Sequence, residues 1–295
     1  MIKESDWMGR LNIAVAIDEN YLKAAYVMFH SLFVNHSDDK IIIYLIYNKE
    51  NLKRKSRRLL AEYVSSHHAR LVCIPIREEF QNYPLLEHIS VTTYYRLLLP
   101  YILPKRVKKI LYLDVDLVVD GSLHGLYDRE FNGKYFYGVR MPDIAIRHRK
   151  RKLGMPPGAP YVNAGVLLYN IEELRKNVRK DELILYLREN IQRLETSDQC
   201  LINGMFWNKM GCASERYNWT LLQKPIENKR CIIVHYAGPH KPWKWTYENY
   251  GKDVFFKYVT KNECVEWNRE KYLQLLVNKI RIFIRECTMK GNGFK

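Results

Sequence analysis

This 295-residue chain has no long apolar run: the longest, residues 41–47, falls far short of the ~20 residues that span a bilayer. Residues 1–10 lack the apolar core of a signal peptide, so the expectation is a cytoplasmic protein. Cysteine is sparse. Its six positions (Cys73, Cys200, Cys212, Cys231, Cys264 and Cys287) show no Cys-x-x-Cys or finger-like spacing, which argues against a zinc ribbon or redox pair and predicts reduced, mostly buried thiols. Internal repeats are absent. Acidic residues are outnumbered: Asp+Glu 32 against Lys+Arg 48 gives +16, a surface that attracts polyanions. No finger, recognition helix or RNA-binding signature accompanies that charge, which disfavours nucleic acid as the partner. What is present is core-forming material, 47% hydrophobic and 13% aromatic with Tyr 22, enough for one large α/β domain or two small ones.

Residues 11–17 form a β-branched apolar run ended by Asp18-Glu19-Asn20 and predict a buried strand. Ala24, Ala25, Met28, Leu32 and Phe33 then recur at helical spacing over 21–33. Strand-like 41–47, basic helical 52–64, strand-like 71–76, helical 92–103 and a buried strand at 109–113 follow. This alternation predicts a parallel sheet flanked by helices, with chemistry beyond the carboxyl ends of its strands.

Past Asp120-Gly121, read as a turn, the strands expected are 135–140, 161–169 and 231–235, and the helices 171–191 and 197–208. Residues 141–160 carry Arg147-His148-Arg149-Lys150-Arg151-Lys152 and read as an irregular loop of about 20 residues, either a mobile lid or a solvated charge run. Residues 254–287 read as one or two helices mixing basic and apolar residues, suited to an anionic membrane surface.

Two constellations carry chemistry. Asp114-Val115-Asp116 follows the strand at 110–113, and side-chain alternation would point both carboxylates at one hard divalent cation. His235-Tyr236-Ala237-Gly238-Pro239-His240-Lys241-Pro242-Trp243 follows the apolar Ile232-Ile233-Val234. His235 offers an imidazole to an ion or is a hydrogen-bonded core residue; Gly238 lets a phosphate approach the main chain, Lys241 neutralises it, and Trp243 reads equally as core. Asp120 and Asp128 read as surface and turn residues.

In chain order, Ala16-Ile17-Asp18-Glu19-Asn20-Tyr21, Thr92-Thr93-Tyr94-Tyr95-Arg96-Leu97, Leu111-Tyr112-Leu113-Asp114-Val115-Asp116, Val162-Asn163-Ala164-Gly165-Val166-Leu167, Ser197-Asp198-Gln199 and the His235 segment resemble the family 8 glycosyltransferases, retaining enzymes of the GT-A fold. The resemblance runs from residue 11 to about residue 245. It implies a Rossmann-like mixed, mainly parallel α/β sheet with a small helical C-terminal region. The expected division is a catalytic domain over 1–250, its nucleotide-binding half about 11–120 and acceptor-side half about 121–250, then a helical basic region over 251–295.

By position, the resemblance implies Asp114, Asp116 and His235 as ligands of Mn²⁺ or Mg²⁺. Asp18, Asn20, Tyr21, Arg96, Val115, Asn163, Gly238 and Lys241 would bind the UDP-sugar. Gln199 and Asp198 would stand at the reacting carbon, and His88, Asp143, Ala237 and Pro239 on the acceptor side. Gln199 is an amide and a poor nucleophile, which favours front-face substitution over double displacement, with Asp198 as the alternative nucleophile.

The expected activity is metal-dependent transfer of galactose or glucose from its UDP derivative to a hydroxyl of a glycan or glycolipid such as lipopolysaccharide, with peripheral contact to the inner face of the membrane. A nucleotidyltransferase is disfavoured because Asp18-Glu19-Asn20-Tyr21 stands where a Gly-rich phosphate loop would follow the first strand. The other alternative is a basic membrane- or nucleic-acid-binding module with an inactive sugar-nucleotide site.

Overall fold

The structure, a computed structural model, describes residues 11–76, 91–220, 231–244, 247 and 251–260. His88 and residues 261–295, with Cys264, Cys287 and most of the expected basic C-terminal region, lie outside the described residues.

The N-terminal half alternates strand and helix. β1 (Leu11–Ala16) leads through a 3-10 turn into α1 (Leu22–Asn35), followed by β2 (Ile41–Asn48), α2 (Arg54–Ser66) and β3 (Arg70–Ile76). The stretch expected as one helix over 92–103 is a 3-10 segment, Val91–Leu98, ending in the short α3 (Leu99–Ile102), with Pro100 in its first turn. β4 (Lys109–Leu113) follows, then β5 (Leu117–Val119) and α4 (His124–Tyr127). The second half contains β6 (Phe136–Arg140), α5 (Asp143–Lys152), β7 (Val162–Asn170), α6 (Ile171–Asn177), α7 (Lys180–Asn190), α8 (Ser197–Phe206), β8 (Met210–Ala213), β9 (Ile233–His235) and α9 (Lys252–Lys257).

Seven strands form the main sheet in the order β3-β2-β1-β4-β7-β6-β8. All neighbours are parallel except β7, which runs antiparallel to both β4 and β6. The mixed, mainly parallel α/β sheet expected is therefore observed. Alternate residues of the central strands divide between two cores on opposite faces: Ile42, Tyr44, Ile110 and Tyr112 on one, Ile41, Ile43, Leu111 and Leu113 on the other. Burial on both faces is why these strands read as continuous apolar runs.

β5 and β9 form a separate two-stranded antiparallel sheet that pairs Leu117 with His235. Val118 and Val234 pack there with Trp219, Tyr236, Phe255 and Tyr258 in a third core, which draws α9 onto the body of the protein. Asp120 belongs to this junction. It is buried, accepts a hydrogen bond from Lys257 Nζ at 2.6 Å and another from the Tyr258 hydroxyl, so it anchors residues distant in sequence rather than marking an exposed turn.

Three further expectations are corrected. Residues 143–152 are helix, not irregular loop: α5 buries only Ile146 and Lys150, so it lacks an apolar stripe, and its polar side chains His148, Arg149 and Lys152 are tied to Glu195. The helix expected over 171–191 breaks at Val178-Arg179 into α6 and α7. Of the described thiols only Cys200 is buried; Cys73 and Cys212 are exposed because β3 and β8 are the sheet's two edge strands. No helix among the described residues is long and apolar enough to cross a membrane.

Candidate active site

The carboxyl ends of β1 and β4 open into a cleft of about 530 Å³. Asp18, Tyr21, Arg96, Asp114, Val115, Asp116, Asn163, Asp198, Gln199, His235, Ala237 and Gly238 all line it. Six separate segments of sequence meet here, as expected where a parallel sheet changes strand order.

Asp18 caps the 3-10 turn after β1: its Oδ1 accepts hydrogen bonds from the backbone N–H of Asn20 at 2.9 Å and of Tyr21 at 3.2 Å. This fixes Tyr21 at the rim, where its ring meets the edge of Trp243 at 6.1 Å. Trp243 also packs 5.5 Å from Phe255, so it joins the third core to the rim of the cleft.

The two aspartates converge for a reason other than strand alternation. β4 ends at Leu113, and Asp114-Val115-Asp116 is the passage between the two sheets. Asp114 N–H donates to Gly165 O at 2.8 Å, extending the β4–β7 ladder, while Tyr236 N–H donates to Asp116 O at 2.9 Å beside the small sheet. One carboxylate is thus held by each sheet, with Val115 buried between them.

His235 ends β9 and faces both aspartates, with Nε2 3.3 Å from Asp116 Oδ1 and 3.8 Å from Asp114 Oδ2. One ligand atom from each of the three residues falls within 4.8 Å of the others. Two carboxylates and an imidazole suit a Mn²⁺- or Mg²⁺-type cation. Gly165 preserves the space, since a Cβ there would lie 2.5 Å from Asp114 Oδ2 and against Cε1 of His235.

The surrounding charges hold the carboxylates in place. Burial would raise the Asp116 carboxyl, but His235 and Lys241 beside it hold it well below the usual carboxylate range. Lys241 Nζ donates to Asp116 Oδ2 and, at 2.9 Å, to Tyr236 O. Arg96 is buried under the cleft: it donates to Asp114 Oδ1 at 2.9 Å and to Ala164 O at 2.7 Å, and its Nε faces Asp198 Oδ2 at 3.0 Å. Despite that partner, burial pushes Asp198 up to about 6.

Gln199, on the first turns of α8, is fixed by β7. Its Oε1 accepts from Ala164 N–H at 3.2 Å and from Asn163 Nδ2 at 3.3 Å.

Some expected site residues do not themselves line the cleft. Asn20 is exposed beyond the rim, Lys241 is turned onto Asp116, and Asp143 lies on the outer surface against Arg140; none of the three, nor Pro239, lines the cleft. The structure adds Tyr112, whose hydroxyl donates to Asp114 Oδ1 at 3.0 Å, and Thr196 and Glu195 at the mouth. It also adds Asn218, a buried residue in contact with His235. Asn218 stands between elements in no motif, so only its spatial neighbours reveal it.

The profile of glycosyl transferase family 8 matches residues 12–246, which contain every element of the cleft. The chain is a family 8 glycosyltransferase. It is 28% identical over 246 residues to a putative glycosyltransferase of Haemophilus influenzae, covering 79% of this chain and 73% of that one. It is also 27% identical over 301 residues to a lipopolysaccharide 1,2-glucosyltransferase of Escherichia coli, covering 91% and 86%. The galactosyltransferase LgtC, solved with donor and acceptor sugar analogs, superimposes with a TM-score of 0.76 at 25% identity, covering 85% of this glycosyltransferase and 98% of LgtC. The GT-A architecture expected from the sequence is thereby shown.

Proposed function

We propose that this glycosyltransferase moves a hexose, galactose or glucose, from its UDP derivative to a hydroxyl of a glycan or glycolipid of the lipopolysaccharide class, with retention and with Mn²⁺ or Mg²⁺ held by Asp114, Asp116 and His235. The observation that carries the reading is the convergence of these three ligand atoms within 4.8 Å at the wall of the cleft. Relatives named lipopolysaccharide 1,2-glucosyltransferase and 1,3-galactosyltransferase support the acceptor class.

The bound cation supplies positive charge where the departing diphosphate gains negative charge. Around it, Asp18 and Tyr21 border the nucleotide side, and Gly238, at φ +91, presents bare main chain to a phosphate. Asn163 and Gln199 stand at the sugar side, and Ala237 remains the acceptor-side residue that reaches the cleft.

Both oxygen-bearing groups proposed at the reacting carbon are already engaged. Gln199 Oε1 accepts two hydrogen bonds, and Asp198 is buried against Arg96. This favours front-face substitution: the bond from the sugar's anomeric carbon to the diphosphate breaks, the acceptor hydroxyl oxygen bonds on the same face, and its proton passes to the departing phosphate oxygen.

Thermal unfolding with UDP, UDP-galactose, UDP-glucose and UDP-N-acetylglucosamine, with and without Mn²⁺, tests the donor assignment. A ligand bound only by the folded state adds about 2.7 kcal/mol at a hundredfold excess over its Kd. A Mn²⁺-dependent rise with UDP-galactose or UDP-glucose is expected; no rise with any nucleotide overturns the reading and favours the inactive binding module.

Gly165→Ala tests the cation assignment. The glycine cannot retreat, because its N–H donates to Asn163 Oδ1 and its C=O accepts from Asp114. The displaced ligands are expected to weaken Mn²⁺ binding on the order of 10²-fold at unchanged fold, read by paramagnetic resonance titration and circular dichroism.

Membrane contact is proposed on the exposed face of α5. Arg147, His148 and Arg151 of α5 are exposed with Ile144, which is 89% exposed, on one helical face. Sedimentation with vesicles is expected to recover the protein with phosphatidylglycerol at low salt and not with phosphatidylcholine alone; equal recovery would overturn this contact.

A further inference from the structure

We infer that Asn218 is a positioning residue: it holds His235 with Nδ1–H directed at its own amide oxygen, keeps Nε2, which faces the two aspartates, as the ring nitrogen that would ligate a cation, and ties that imidazole to the sugar side of the cleft through Asn163. This rests on reading Asp114, Asp116 and His235 as a cation site.

The geometry assigns the direction of every bond in the relay. Backbone N–H groups can only donate, and two of them on β7 set the polarity. Gly165 N–H donates to Asn163 Oδ1 at 2.9 Å, so that atom is the amide oxygen and Asn163 Nδ2 points to Gln199. Ala164 N–H donates to Gln199 Oε1 at 3.2 Å, which fixes the second amide the same way. Asn218 approaches Asn163 Oδ1 at 2.9 Å and must present Nδ2 to it. Its remaining amide atom, Oδ1, therefore faces His235 Nδ1 at 2.9 Å, and the hydrogen belongs to Nδ1.

Asn218 is 1% exposed and His235 3%, so water does not compete for either bond. The segment carrying Asn218 is itself pinned to β9, since Trp219 N–H donates to Ile233 O at 3.0 Å and His235 N–H to Trp219 O at 2.8 Å. A carbonyl-type partner on the far nitrogen of an imidazole ligand orients the ring and raises its basicity. Here that partner also reaches Asn163 and, through it, Gln199, so a shift of the imidazole is transmitted to the amide at the sugar side.

The test compares the wild-type chain, Asn218→Leu and Asn218→Asp. Asn218→Leu removes both bonds and is expected to weaken Mn²⁺ binding about 10–100-fold by paramagnetic resonance titration. Asn218→Asp keeps an acceptor for Nδ1–H but cannot donate to Asn163; it is expected to restore most of the Mn²⁺ affinity while kcat stays low and KM changes little. Equal Mn²⁺ affinity in the wild type and Asn218→Leu overturns the inference, as does an Asn218→Asp variant that regains neither property. Should the leucine variant not fold, ¹⁵N-histidine spectra of the wild type with Mg²⁺ decide: Nδ1–H on His235 supports it and Nε2–H overturns it. A wild type that binds no divalent cation would overturn the cation site itself, an outcome distinct from equal affinities.

Discussion

Asp116→Asn is expected to abolish the Mn²⁺-dependent nucleotide response and lower turnover by about 10²–10³-fold, because it removes a charged member of the proposed cation site, where leaving-group charge would be stabilised. The same substitution weakens a buried ion pair, since Lys241 is left with a neutral amide and Tyr236 O. Replacing one partner of a charge-assisted hydrogen bond costs about 1.5–3 kcal/mol, so each protein's shift must be taken from its own ligand-free midpoint. The double variant Asp116→Asn with Lys241→Met separates the two effects. It is expected to recover stability by removing the orphaned ammonium, yet to show no response to UDP with Mn²⁺. A double variant that regains the nucleotide response would place the cation elsewhere.

Arg96→Ala is expected to produce the largest loss of stability. The guanidinium is buried, bridges Asp114 and Asp198 and donates to Ala164 O, so its removal leaves two carboxylates and a carbonyl uncompensated beneath the cleft. Breaking a buried pair from one side costs about 3–5 kcal/mol, which for a domain of this size lowers the midpoint by on the order of 10 °C. Arg96→Lys is expected to rescue little, because one ammonium cannot meet three acceptors in a fixed fork.

The pH dependence gives an independent reading. Burial holds Asp198 at about 6 with Arg96 opposing the rise; against an unfolded carboxyl near 3.9, about the ordinary value, this raised group penalises folding above pH 6. The penalty fades as pH falls from 6 to about 4 and is gone below that, where both states are protonated. Without Arg96 the folded carboxyl rises further. The deficit of Arg96→Ala relative to the wild type is therefore expected to be largest near pH 8 and to shrink toward pH 5, measured by denaturant unfolding across that range. A deficit independent of pH would mean that Arg96 acts through packing alone.

Much of the N-terminal half is legible in the sequence. β1, β2 and β4 are apolar runs with polar stops, and the aspartates of greatest chemical interest follow two of those stops. α5 is not legible, because a helix that buries one isoleucine and one lysine has no periodic face to read. β5 is only three residues long, too short for any period to appear, and exists because it pairs with β9, the strand that the apolar run before His235 announces. That pairing is what directs Asp116 toward His235, so the strand-alternation rule reached the right pair of aspartates by the wrong route.

The sequence by itself determined the family, the mainly parallel sheet and the residue types of the cleft, since each is written in local runs and short motifs. Tertiary structure alone decided which groups meet: Lys241 with Asp116 across 125 residues, Asn218 with Asn163 across 55, and Asp120 with the Tyr258 hydroxyl across 138. The physical reason is that a hydrogen bond or ion pair depends on distance and direction in space, and these are fixed only when two sheets and three apolar cores pack around the same cleft.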